Sequence, residues 1–223
     1  MRRIVRGALF AAAAATAAAG AVAAGCGRDA PERAEFPAGL AAAVLTSQDV
    51  PGDHLPAQAQ PAFRGVLAHD PPCRRLLALA DGHGLRDVPR RGTAFYRLDP
   101  GVTLTQQVFD AGSKRAGLTL EAARRAAAGC TVLRAKVGGV QLNLPRTPLK
   151  APGLPPADTL AVRFAAQAGS GRELSYELIM HRNGDAFLTV AQPGVVGPGA
   201  PSAAAAAAAR AAARLPGASK LNP

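Results

Sequence analysis

The side chains able to do chemistry in this chain are few and far apart: three cysteines (Cys26, Cys73, Cys130) and four histidines (His54, His69, His83, His181). Covalent hydrolysis needs a nucleophile beside a base, and acid–base hydrolysis needs paired carboxylates. The sequence has no G-x-S-x-G elbow, no S-x-x-K and no H-E-x-x-H. Ser170, between Gly169 and Gly171, has the neighbours of a turn residue. Glu177 and His181 share one face of a strand but stand two pleats apart, about 13 Å, too far for direct proton transfer. The cysteines lack metal-ligand company, with no C-x-x-C, C-x-H or H-x-H, so no metal and no cofactor is expected. The chain reads as a non-enzyme, with a secreted hydrolase as the weakest alternative.

Cysteine chemistry is the exception. Arg2, Arg3 and Arg6 precede an apolar run of 18 residues, Gly7 to Ala24, and small residues lead to Cys26. A basic start, an apolar middle and a small-residue cleavage site describe a secretory signal peptide. A retained membrane anchor would need about 17–25 residues, more apolar than this alanine run. Ala23-Ala24-Gly25-Cys26 is similar to the lipobox of bacterial lipoproteins, in which the cysteine is lipidated and becomes the new N-terminus. Ala23 departs from the usual Leu or Val, and cleavage after Ala23 is the competing reading. It would leave Cys26 a free exposed thiol in an oxidising compartment. With Cys26 lipidated, Cys73 and Cys130 form an even pair, and an exported chain most simply joins them in a disulfide.

The elements that would position these residues follow from periodicity and turn chemistry. Leu40, Val44 and Leu45 have helical spacing ending near Pro51-Gly52, and residues 55–69 read as irregular. Asp70 caps a helix opened by Pro71-Pro72, with Cys73, Leu76, Leu77 and Ala80 on one face. Strands are expected over 93–98 and 103–109, then a helix capped by Thr119 and ending at Gly129, beside Cys130. A second hairpin covers 130–137 and 140–144, followed by a loop with five prolines to Asp158. A strand over 159–167 leads to a hairpin, 173–182 and 185–192, around Asn183-Gly184, with Arg182 opposite Asp185 and Met180 opposite Phe187. Ser202 caps a closing alanine helix that carries Arg210 and Arg214 on its exposed stripe. Tyr176, Leu178, Met180 and Phe187 share one sheet face; Glu177, Ile179, His181, Leu188 and Val190 share the other. With both faces partly apolar, one is expected to be covered and the other partly occluded or grooved.

The fold class is therefore α+β, a twisted antiparallel sheet flanked by helices, in a single domain with a cleft. The expected organisation is a lipoprotein signal peptide over 1–25, a tether over 26–37, the domain over 38–217 and a tail over 218–223. Formal charge is +11. Without the three leader arginines, 23 basic side chains face 15 acidic ones, a net of +8. The basic residues are scattered and do not interleave with aromatics, so no nucleic acid partner is expected. Their better use is attraction to anionic head groups or wall polymers.

The order of features resembles the PknH-like extracellular sensor domain of actinobacteria, found on receptor serine/threonine kinases and in free-standing lipoproteins. The residues that carry the likeness are Leu45-Thr46-Ser47-Gln48-Asp49-Val50-Pro51, the Pro72-Cys73 helix and the run from Gln107 to Cys130. Ala161-Val162-Arg163, Arg182-Asn183-Gly184-Asp185 and the closing helix to Leu215 also match. The resemblance implies a large cleft for an extracytoplasmic ligand and no catalysis. This chain keeps one cysteine pair where the kinase-borne domain has two.

Together these readings describe a lipid-anchored protein on the outer face of the cytoplasmic membrane. It would bind a small molecule, lipid, glycan or envelope protein. A structural envelope-interaction lipoprotein is the alternative. Tyr176, Met180 and Phe187 are the candidates for an apolar lining, and Arg163, Arg182, Glu177 and His181 for orienting contacts.

Overall fold

A computed structural model of the chain describes residues 35–50, 52–99, 101–168, 171–197 and 199–217. The expected leader, the lipidation site Cys26 and the tail from 218 lie outside these residues. Among the described residues, nine antiparallel strands form one open sheet. In chain order they are β1 (Leu55–Ala57), β2 (Leu67–Ala68), β3 (Arg90–Arg97), β4 (Val102–Asp110), β5 (Val132–Val137), β6 (Val140–Thr147), β7 (Thr159–Ala168), β8 (Arg172–Asn183) and β9 (Ala186–Val196). Their spatial order is β1-β3-β4-β9-β8-β7-β6-β5-β2. Four α-helices accompany them: α1 (Ala38–Ala41), α2 (Pro71–Ala80), α3 (Ser113–Gly129) and α4 (Ala203–Ala213). No helix among the described residues is long and apolar enough to cross a membrane.

Helices cover both faces of the sheet. Tyr176, Leu178, Met180, Phe187 and Phe109 pack with α2 and α3 in one core. Ile179, Leu188, Val190, Leu104 and Phe95 pack with the alanines of α4 in a second. The second face is thus closed at its centre instead of grooved. Alanine makes this possible, because side chains of one carbon let the α4 backbone come close to the strands.

The hairpin keeps the expected faces but not the expected register. Asn183 pairs with Ala186, Arg182 with Phe187 and Met180 with Thr189. The two turn residues are Gly184 and Asp185, with Gly184 at φ +58. The shift is two residues, and side chains alternate with period two, so every residue stays on its assigned face. Asp185 then has another use. Its carboxylate accepts the Ser113 N–H at 2.7 Å and its carbonyl accepts the Ala111 N–H at 2.9 Å. The cap of α3 therefore comes from the β8–β9 turn, and α3 begins six residues before Thr119, which is buried inside the helix.

The N-terminal stretch is less helical than its spacing suggests, with only α1 and a short 3₁₀ turn over Ser47–Asp49. Buried Gln106 of β4 explains this: its amide donates to the Ala43 carbonyl at 2.7 Å and its oxygen accepts the Leu45 N–H at 2.8 Å. Those backbone groups cannot also serve a helix. The packed part begins at Phe36, whose ring lies 5.2 Å beneath the Arg91 guanidinium. Arg210 and Arg214 lie on the exposed stripe, as expected, and both are engaged there. Arg210 donates to the Asp49 carbonyl and Arg214 pairs with its carboxylate. The Arg214 guanidinium holds the Asp49 carboxyl far below the usual range.

Cys73 and Cys130 are joined. Asp70 occupies the position before α2, yet its carboxylate lies 3.5 Å from Arg134 and makes no cap hydrogen bond. Two prolines explain why α2 tolerates this, since Pro71 and Pro72 have no N–H to satisfy. At the other end of the cross-link a Cβ on Gly129 would meet Pro72 at 3.1 Å, so glycine permits the approach. The bond closes a loop of 57 positions. Replacing both cysteines with serine should therefore lower the unfolding free energy by about 2–4 kcal/mol, read as an earlier urea midpoint with a slope equal or steeper, since the freed denatured chain exposes more surface. An unchanged midpoint would refute that role.

Candidate functional site

The residues expected to line a groove do not share one. Met180 and Phe187 are fully buried and Tyr176 nearly so, all beneath α2 and α3. Phe187 packs at 6.4 Å from Phe109, and Tyr176 meets Phe63 edge-on at 6.2 Å. Burial pushes the Tyr176 phenol up. The polar candidates divide between the faces. Arg182 reaches across the α3 side, where it would meet a Cβ on Gly117, and donates to Asp158 at 2.7 Å. Arg163, Glu177 and His181 lie on the α4 side.

There Arg163 and Glu177 are cross-strand partners, 3.0 Å apart, an ion pair whose angle falls short of a hydrogen bond. Arg163 also donates to Ser175 at 3.2 Å and lies 3.5 Å from Glu173. The Ser202 hydroxyl donates to Glu177, and its oxygen accepts the Ala205 N–H at 2.9 Å, so the carboxylate is tied to the cap of α4. Burial pushes the Glu177 carboxyl up, opposed by the Ser202 hydrogen bond and the Arg163 charge. His181 is also buried, with Nδ1 3.0 Å from the Thr159 hydroxyl and Nε2 unpartnered. Burial pushes its imidazole down, against the pull of Asp158. These groups join β7, β8 and α4.

Open space lies elsewhere. The segment 58–64 leaves β1 and crosses the α2/α3 face of the sheet as a strap, ending where Phe63 meets Tyr176. Asp81, at the end of α2, accepts the Phe63 N–H at 3.4 Å, and burial pushes its carboxyl up. A Cβ on Gly92 would lie 3.9 Å from Ala59, in van der Waals contact, so the strap rests directly over β3. A recess opens on each side of that contact. The larger, about 560 Å³, is lined by Gln60, His83, Arg86, Arg90, Thr93 and Gln107 among others. The smaller, about 360 Å³, is bordered by Arg64, Ala94, Tyr96, Thr103, Thr105 and Pro193. The linings offer hydrogen bonds and positive charge. No group of three or more metal-ligating side chains occurs among the described residues.

These recesses are built from residues 58–66 and 81–89, stretches without hydrophobic period. The sequence did carry one signal, a row of small or polar residues at alternate strand positions: Gly92, Ala94, Thr103 and Thr105.

An open antiparallel sheet with helices on both faces is an α+β architecture that solved proteins share. One solved example is the extracellular domain of PknH from Mycobacterium tuberculosis, superimposing with a TM-score of 0.58 at 16% identity over 82% of this chain and 94% of that one. The likeness is one of fold. No family model matches the chain, and no curated protein does.

The state of His181 gives a test of the buried polar layer. Its folded-state imidazole is depressed below the ordinary value of about 6.5, so the unfolded chain binds more protons there. Its contribution to stability is full above that value and is lost as pH falls through the folded-state value. Glutamine does not titrate. The stability gap between wild type and His181→Gln should therefore narrow between pH 7 and pH 5 in urea titrations. A gap independent of pH would contradict a buried neutral imidazole.

Proposed function

We propose that the chain is a non-enzymatic binding domain on the outer face of the cytoplasmic membrane, anchored by acyl chains on Cys26 after removal of residues 1–25. Residues 26–37 form the tether, 38–217 the domain and 218–223 the tail. The observation that carries the binding role is the pair of recesses beside the strap. The larger falls within the usual 300–1,000 Å³ of ligand sites. The disulfide supports an oxidising compartment. A fold shared with an extracellular domain supports the same placement.

On this reading Tyr176 acts on the site through Phe63, which ends the strap, and Met180 and Phe187 hold the floor beneath α2 and α3. Arg163, Glu177 and His181 fix the opposite face, and Arg182 braces α3. A second reading, a structural envelope protein docking a partner by side-chain contact, is favoured by one observation. Leu55 and Leu98 are 62% and 77% exposed near Tyr96, itself exposed.

Native mass spectrometry of the protein purified from its own envelope tests the first reading. The expected result is a mass beginning at Cys26 with acyl chains, plus a retained small molecule. Gly92→Val, which places methyl groups between strap and strand, should release that molecule while leaving the disulfide and circular dichroism unchanged. A molecule retained equally by the variant puts the site elsewhere. A fixed protein partner with no small molecule supports the docking reading.

A further inference from the structure

We propose that the larger recess is a binding site for a phosphate-bearing polyol, gripped by Arg86 and Arg90. This rests on the reading of that recess as the ligand site and names the chemistry it accepts. The starting point is where guanidinium charge goes in this molecule. Arg115 pairs with Asp87, Arg163 with Glu177, Arg182 with Asp158 and Arg214 with Asp49. Arg86 and Arg90, like Arg64, Arg91, Arg124 and Arg146, have no carboxylate partner among the described residues, and they are the two guanidiniums that line the larger recess. Arg86 meets only the ring of His83, at 2.6 Å, a contact that brings it no negative charge. Arg90 stands on β3 two residues from Gly92, on the same sheet face, and opens onto the same recess.

One carboxylate borders this space, that of Asp81, and it is turned to the strap amide of Phe63. The lining therefore holds two guanidiniums against one occupied carboxylate. Guanidinium groups match phosphate in a planar fork, and charge-assisted hydrogen bonds are the strong ones. The other polar side chains are the amides of Gln60 and Gln107, which both donate and accept, as ring hydroxyls require. No Phe or Tyr lines this recess, and its one aromatic ring, that of His83, is already engaged by Arg86. Phosphate with hydroxyls and without an aromatic ring is the chemistry left. Such a group occurs free in solution or as a lipid head group.

The test uses the disulfide-bonded Cys26→Ser chain, which carries no acyl group of its own. Probes are inositol 1-phosphate, myo-inositol, and phosphatidylcholine vesicles with and without phosphatidylinositol. Calorimetry should show inositol 1-phosphate binding at least about tenfold tighter than myo-inositol, with about tenfold loss in Arg86→Gln and Arg90→Gln at unchanged melting temperature. Affinity should fall with added salt. Binding only to phosphatidylinositol vesicles, lost in the same variants, would support the site with a lipid source. Three results overturn the proposal: myo-inositol binding as well as its phosphate, binding indifferent to both arginines, or no binding by any probe. None of them removes a molecule that native mass spectrometry finds released by Gly92→Val, so the recess and its ligand class fail separately.

Discussion

Because Cys73 is the third residue of α2 and Cys130 directly follows α3, their bond ties the start of one helix to the end of the other. Two helices fixed in that way form a single plate on the sheet. The plate covers Tyr176, Leu178, Met180 and Phe187 on the central strands and, on β4, reaches Phe109. What remains of that face is bridged only by the strap from β1, held at its far end by Asp81 of α2 and by Phe63 against Tyr176. The recesses exist because the covering plate is narrow and stapled, and the strap is anchored to that same plate.

The opposite face obeys a different constraint. Its helix is nearly all alanine, so it buries little apolar area per residue, and burial contributes about 25 cal/mol per Å². The strands beneath it carry Glu177, Gln192 and His181, all buried. A buried charge is costly unless paired, and removing one partner costs more than the pair contributes. Arg163 and Ser202 meet Glu177 from two directions, so α4 can start only where Ser202 reaches that carboxylate. Asp49 does the same at the other end of α4, accepting from Arg214. Polar contacts thus fix the position of a helix whose apolar surface would fit many.

Period two made the sheet legible. β3, β4, β7, β8 and β9 appear where alternation and turns put them, and the face assignments survive a register error of two residues because parity is unchanged. The missed features share one cause, distance along the chain. The α3 cap is Asp185, 72 residues from Ser113, and the groups that stop the N-terminal helix are on Gln106, over 60 residues away. Local cues such as Thr119 pointed elsewhere. The candidate groove failed for a related reason. An apolar strand face reads the same whether helices or solvent cover it, so Tyr176, Met180 and Phe187 looked equally suited to a pocket and to a core. The recesses arise from connections with no periodicity, and only the small residues of β3 and β4 marked their floor.

The outermost strands, β1 and β2, are three and two residues long, and Pro56 sits within β1. Proline offers no amide, and so short a margin presents few unpaired peptide groups to a neighbour. Packed side by side at high surface density, copies of this protein would find almost nothing to zip together edge to edge. At those two margins the main chain gives self-assembly little hold, which favours encounters through side chains instead.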